Sequence, residues 1–359
     1  MSVIIFLTVL SILIVVHEWG HYIAAKKVGV TVEKFSVGFG PKLFSKNFQG
    51  TEFMVSAIPL GGFVKLAGDE RSQCKGDPRE FYSHPVWHRA LIVLMGPVIN
   101  VIFAYLCFYC IFLTGFPMLS TTIGKVMDGY PAAKAELREG DKILQINHVP
   151  ILGWDDVQKM VRSSDGTMDV VFERNGQELT KVIEPQVSEV PNIFGQKQKL
   201  HVIGIQPTEE IVFLKYGPVQ SIGKAYQQIV DLTTMTVKSL YYVFVGALPA
   251  KDALAGPIRI FDVIKNAADK GLPYLIYIMA VISLSLAIFN LFPIPVLDGG
   301  HLFLLAVEKV RGRPLSVKME EGLTRAGFSL ILCLMVFVLY NDVVQVGWVA
   351  AVKGFFHKL

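Results

Sequence analysis

The chain has 359 residues, 52% of them hydrophobic, and 34 Lys and Arg against 30 Asp and Glu give a formal net charge of +4. A mean hydropathy of +0.47 is too apolar for an ordinary soluble domain of this length and points to a chain with several membrane spans. The modest charge and dispersed lysines exclude a basic nucleic-acid face, so no nucleic-acid partner is expected. Of the four cysteines, Cys107, Cys110 and Cys333 lie in apolar runs and Cys74 in a polar loop, which makes no disulfide framework. Cys107-x-x-Cys110 has no second pair and reads as two thiols on an apolar helix.

In chain order, the first span runs from about Val3 to Ala25 and carries the stretch VVHEWGH. It lacks both a basic leader and a small-x-small cleavage site, so it reads as a retained span rather than a signal peptide. On a helix His17 and His21 are four apart and share one face, where two imidazoles can ligate one zinc ion. Glu18 can serve as general base toward an activated water. The plainer alternative is a helix end whose polar residues meet the interface. A complete His-Glu-x-x-His on an otherwise apolar helix favours the metal, because ionisable groups inside a span are functional by default.

Residues 30 to 66 alternate apolar and polar positions among glycines: Val32, Phe35, Val37 and Phe39 going out, Phe53, Val55 and Ala57 returning. This predicts a β-hairpin or loop against the membrane, its edges covered by protein or by a water-filled cavity. A second span follows over about Ala90 to Phe116. Residues 121 to 207 then read as a separate α+β unit. "TTIGKV" and "DKILQINHV" are strands, "WDDVQKMVRSS" an amphipathic helix, Asn175-Gly176 a hairpin turn, and "HVIGIQP" one closing strand. Residues 217 to 245 have helical periodicity but too polar a face to span, and read as helices on the outer membrane surface. The third span, Leu275 to Leu297, is irregular where Pro293 and Pro295 break it. The fourth runs roughly from Ala326 to Trp348.

Ten Lys or Arg between Lys26 and Arg89, and the group Lys309, Arg311, Arg313, Lys318 and Arg325, predict two cytoplasmic segments by the positive-inside rule. The N-terminus and Thr121 to Pro273 then lie outside. A catalytic zinc needs a third protein ligand at the depth of His17 and His21. Asp298, the only carboxylate between Leu275 and Gly300, arrives near the same side. On spacing alone, Asp298-Gly299-Gly300 reads equally well as a turn at the membrane exit.

HEWGH (17 to 21) with NLFPIPVLDGG (290 to 300), GPVIN (96 to 100) and PLGGFVK (59 to 65) closely resembles the site-2 protease family of intramembrane zinc metalloproteases. "GYPAAKAELREGDKILQINHVPI" (129 to 151) is similar to a PDZ unit, with Glu136 where a glycine is common. One such unit between spans two and three resembles the bacterial regulator-of-sigma-E-protease type, some of whose members carry two. The resemblance implies a polytopic α-helical membrane protein of about four transmembrane helices, with a membrane-associated β-hairpin region and a soluble α+β PDZ-like domain. The expected parts are 1–116, 117–207, 208–273 and 274–359.

The resemblance further implies His17, His21 and Asp298 as ligands of Zn2+ and Glu18 as catalytic base. Asn290, Gly61, Gly62 and Asn100 would contact substrate or shape the site, with Gly96 and Pro97 beside them. His301 can in principle bind metal, but three ligands suffice without it. The hairpin regions Gly38-Phe39-Gly40 and Pro59-Leu60-Gly61-Gly62 would clamp an extended substrate strand. Implied partners are the lipid bilayer and single-pass membrane proteins, such as anti-sigma factors or remnant signal peptides. The implied location is the bacterial inner membrane, the PDZ-like domain outside and the active site near the cytoplasmic side. A membrane zinc transporter or sensor, or an inactive PDZ scaffold, are the rival readings. A transporter would want ionisable groups at several depths, and Asp342 is the main one in the other spans.

Overall fold

Within lipid every main-chain N–H and C=O must find its partner inside the segment, so long apolar runs settle as helices. The computed structural model describes residues 1–71, 74–191, 197–253 and 255–345, and four of its helices are long and apolar enough to cross a membrane. The described chain divides into two compact units. One comprises Met1–Tyr109, Ala225–Leu240 and Pro249–Leu359, the other Cys110–Lys224 and Tyr241–Leu248.

The first unit begins with α1 (Ser2–Val28), followed by β1 (Val32–Phe48) and β2 (Thr51–Leu66). The pairing is more than a simple hairpin. Phe44 to Phe48 pair with Thr51 to Val55 near the turn, while Val32 to Val37 pair with Gly62 to Leu66. Lys34 to Val37 also face Glu52 to Val55, so they form a middle strand with partners on both sides. The segments 42–48 and 62–66 are the edges. Val30, Val32, Phe35 and Leu66 pack with Tyr22, Ala24, Ala25 and Ile92 in one apolar cluster, which fixes this sheet to the end of α1 just past His21. The next helix, α2 (Val86–Thr114), starts four residues before the expected Ala90.

The second unit holds β3 (Phe116–Leu119), β4 (Ile123–Val126), a single turn α3 (Pro131–Lys134), β5 (Lys142–Ile146), β6 (Val149–Pro150) and α4 (Trp154–Arg162). It continues with β7 (Met168–Arg174), β8 (Gln177–Ile183), β9 (Gln186–Pro191), β10 (Lys197–Val202), β11 (Ile205–Pro207) and β12 (Ile211–Leu214). A four-stranded sheet in the order β6-β5-β7-β8 is joined by the pairs β4–β11, β3–β12 and β9–β10. Ile123, Ile143, Ile146, Val170 and Phe172 are buried against Trp154, Val157 and Val161 of α4, the apolar face read from the sequence.

Two expectations are corrected in this unit. "DKILQINHV" is not one strand, because Asn147 and His148 take left-handed backbone (φ 50° and 63°) and turn the chain from β5 into β6. "HVIGIQP" is likewise two pieces: β10 pairs with β9, whereas β11 pairs with β4. Glu136 also has left-handed backbone (φ 61°), which explains why a glycine is the common residue there. Its carboxylate takes an ion pair from Lys181 at 3.0 Å, and that contact holds its pKa below the ordinary carboxylate value.

After α5 (Pro218–Phe244) and the turn α6 (Ala250–Ala253) come α7 (Pro257–Lys270), α8 (Leu272–Asn290), α9 (Asp298–Arg311) and α10 (Val317–Gln345). The expected third span through Leu297 is helical only to Asn290, with a loop over 291–297 where the prolines were expected to break it. Here α8 stops at Asn290, and Asp298 opens a separate helix instead of closing a turn. Pro293 and Pro295 cannot donate to a continuing helix. Gly299 and Gly300 let α9 start hard against the preceding loop, since any Cβ there would run into the carbonyls of Leu291 and Ile294. The fourth span begins nine residues before Ala326, and its expected end at Trp348 lies outside the described residues.

Asp342, which a transport path would use, is fully buried and committed to structure. Its carboxylate accepts the N–H groups of Gly256, Ile258 and Arg259 at 3.1, 3.1 and 3.2 Å, capping α7 from α10. Helix α7 in turn packs Ile264 against Val9 and Leu13 of α1. Asp342→Leu leaves those donors without an acceptor and is expected to cost about 2–4 kcal/mol. A fall of several degrees in the thermal midpoint of the detergent-solubilised protein checks it.

Candidate metal centre

The helical period brings His17 and His21 to one face of α1, their Nε2 atoms 3.2 Å apart and their rings edge to face. Asp298, first residue of α9, reaches the same point: one carboxylate oxygen lies 3.1 Å from His17 Nε2 and the other 3.6 Å from His21 Nε2. Among the described residues these three are the one group of His, Cys, Asp or Glu whose ligand atoms converge, all within 4.8 Å.

The donor set fits zinc. Donors about 2.0–2.1 Å from one tetrahedral ion lie about 3.3–3.4 Å from each other, close to the spacings here. His21 Nδ1 lies 2.9 Å from the Ile92 carbonyl, which can only accept. Nδ1 therefore carries the proton, and in the neutral ring the Nε2 lone pair points at the cluster. Asp298 Oδ2 is buried with no hydrogen-bond partner, an orphan whose cost a cation would remove.

The remaining residues expected at the site lie around this point. Glu18 follows His17 on α1, and its carboxylate accepts the main-chain N–H of Val64, in the edge segment of β2. Asn100 Nδ2 is 3.2 Å from His17 Nδ1, and Asn290 Nδ2, at the last residue of α8, is 3.5 Å from His17 Nε2. Gly61, Gly62 and Phe39 line one cavity of about 970 Å³ with His17, Glu18, Asp298 and His301. The side chain of Leu60, part of the expected clamp, lies outside the described residues.

What the sequence reading missed is the support. Ile92 acts through a carbonyl, and a main-chain group leaves no mark in residue types. Arg89 of α2 is buried and makes a two-pronged pair with Glu308 of α9, at 2.6 and 3.1 Å. This ties α2 to the helix that Asp298 opens. Tyr82, on the cavity wall, donates to Glu320 Oε1 at 2.6 Å. Burial pushes its phenol well above the ordinary value, so it stays a neutral donor. Gly96 sits where a Cβ would overlap both the His21 and His17 rings. Gly96→Ala is expected to displace the imidazoles and lose bound zinc, read as metal per protein by atomic emission.

Residues 5–334 match the sequence profile described as peptidase family M50. Among curated relatives, a protein of Brucella suis biovar 1 (strain 1330), named provisionally as a zinc metalloprotease, is 36% identical over 95% of this chain and 94% of its own. A protein of Campylobacter jejuni with the same provisional name is 33% identical over 94% and 92%. Metalloprotease MmpA of Caulobacter vibrioides is 35% identical over 94% of each chain. Among solved structures, the PDZ domain of an SdrC-like protein of Listeria monocytogenes aligns with 25% of this chain and 88% of its own, at 18% identity and a TM-score of 0.20. Its Listeria innocua counterpart gives 25%, 96%, 18% and 0.21.

Proposed function

The chain belongs to peptidase family M50, the site-2 protease family, and is a zinc metalloprotease of the membrane; from that premise we propose that it hydrolyses peptide bonds within or beside the transmembrane segments of single-pass membrane proteins. The observation that carries this reading is the convergence of His17, His21 and Asp298 within 4.8 Å, beside Glu18, on helices apolar enough to cross a membrane.

In this reading His17 Nε2, His21 Nε2 and a carboxylate oxygen of Asp298 hold the zinc. When bound, zinc acidifies water and polarises the scissile carbonyl. Glu18 takes the proton from the attacking water and returns it to the departing amine. The Val64 N–H, bonded to the Glu18 carboxylate, aims it for both steps. Asn290 offers an amide N–H to the substrate carbonyl or the oxyanion that forms from it.

A transmembrane helix hides its carbonyls in its own hydrogen bonds, so it must open locally before it can be cut. The 62–66 segment pairs with β1 on one side and has no strand partner on the other among the described residues. That supports a clamp in which unwound substrate adds as an extended strand beside Gly61 and Gly62. The cluster lies about 13 Å from Lys26 at 1.5 Å per helical residue, which with the basic loops supports a site near the cytoplasmic face of the bacterial inner membrane. The PDZ-like unit then lies outside and screens substrates, as in regulated proteolysis of anti-sigma factors or remnant signal peptides. The exposed apolar residues Val219, Ile222, Tyr226, Tyr241 and Phe244 of α5 support a helix resting on the membrane surface. A transporter would want ionisable groups at several depths, and Asp342, the main one in the other spans, is committed to capping a helix.

Glu18→Gln is expected to keep its zinc and lose about 10²–10⁴-fold in cleavage rate. The assay is a purified single-pass substrate in detergent, with and without a zinc chelator; normal cutting by this variant would refute the mechanism. Gly62→Pro removes an edge N–H and is expected to reduce cleavage with metal content intact. Cleavage at the wild-type rate would rule out the strand clamp.

A further inference from the structure

Behind His17 lies a polar group that the catalytic steps do not use. Asn100 of α2 is fully buried, its amide is 3.2 Å from His17 Nδ1, and its Oδ1 is buried without a partner. Its main chain is pinned from α8, where the buried Ser283 Oγ donates to the Asn100 carbonyl at 2.9 Å. An apolar side chain of similar size would fill the same space, so a buried amide here requires a reason.

The protons on His17 supply one. A neutral imidazole carries a single N–H, and a ring that lends its Nε2 lone pair to a cation must keep that proton on Nδ1. An Nδ1–H meeting an amide NH₂ sets donor against donor. The two ends of an amide have nearly the same shape, and half a turn about the side-chain axis brings Oδ1 to face Nδ1. That turn replaces the clash with a hydrogen bond and gives the orphaned oxygen its partner.

We propose that Asn100 is a positioning residue for His17. Its amide oxygen accepts the Nδ1–H and holds the ring in the tautomer whose Nε2 is free for metal, and Ser283 fixes Asn100 in place. The inference rests on the reading of His17 as a zinc ligand and goes beyond it, since Asn100 then serves the ligand rather than the substrate. His21 has the same arrangement, with the Ile92 carbonyl as acceptor. Helix α2 therefore orients both imidazoles, from points eight residues apart on the face it turns toward α1.

The test compares Asn100→Asp with Asn100→Ala in the full-length protein in detergent. Zinc affinity is read by competition with a chromophoric chelator, ligand geometry by the visible spectrum of the cobalt-substituted protein, and folding by the thermal midpoint. Aspartate supplies the acceptor and is expected to hold zinc within a few-fold of wild type with an unchanged cobalt spectrum. Alanine is expected to weaken zinc about 10–100-fold and to shift that spectrum. Wild-type affinity in the alanine variant, or equal losses in both at an unchanged midpoint, would overturn the proposal. Should the alanine variant fail to fold, Ser283→Ala decides: weaker zinc binding supports the proposal, and unchanged affinity overturns it. A wild-type protein that takes up no zinc would overturn the protease reading itself, which is a separate result.

Discussion

Everything in the membrane unit turns on bringing three electron-pair donors to one point where lipid would otherwise exclude them. Two neutral imidazole nitrogens 3.2 Å apart repel through their lone pairs, and a carboxylate beside them adds charge that lipid cannot solvate. The arrangement is stable only if the surrounding framework imposes it or a cation occupies it. The framework's share is visible: α2 holds the back of both rings, and α9 delivers the carboxylate from almost the other end of the chain.

Delivering that carboxylate needs more than a helix crossing the bilayer at the right depth. Helix α8 must stop at Asn290, and a second helix must begin close beside it. The two prolines force the stop, and the two glycines permit the contact. Glu308 then lies ten residues along α9, about 15 Å from Asp298, and Arg89 grips it there. A buried pair of this kind adds little net stability, because desolvation offsets attraction, yet breaking it costs about 3–5 kcal/mol. Its effect is to specify where α9 sits. The same holds at Asp342, whose carboxylate places α7 against α1 one turn from His17.

The residue types made the polar groups of the candidate site legible. His17, Glu18 and His21 announce themselves because the helical period is known in advance and polar groups on an apolar helix are costly. Asp298 could be brought to the right depth by counting, but its place at the start of a helix could not. That depends on contacts of Gly299 and Gly300 with a loop, and in the sequence they look like any turn. The hairpin region was readable as strand and turn by its alternation. That its first strand ends up in the middle of the sheet follows from a fold-back that alternation does not encode. Least legible were main-chain acceptors such as Ile92, and conformations such as the left-handed backbone of Glu136, where the sequence showed only a departure from a common glycine.

The sheet and the metal centre meet at one bond. The Val64 N–H that would otherwise serve an added strand is taken by Glu18. Alternate residues of a strand turn their N–H groups to the same side, so the Gly62 N–H faces the same way as that of Val64. Under the proposed clamp, a strand added along this edge would run out of main-chain partners beside Glu18. Gly62 and the Val64 whose N–H holds Glu18 lie two residues apart on one segment. Displacing that segment would move both the cavity wall lined by Gly61 and Gly62 and the N–H that holds Glu18.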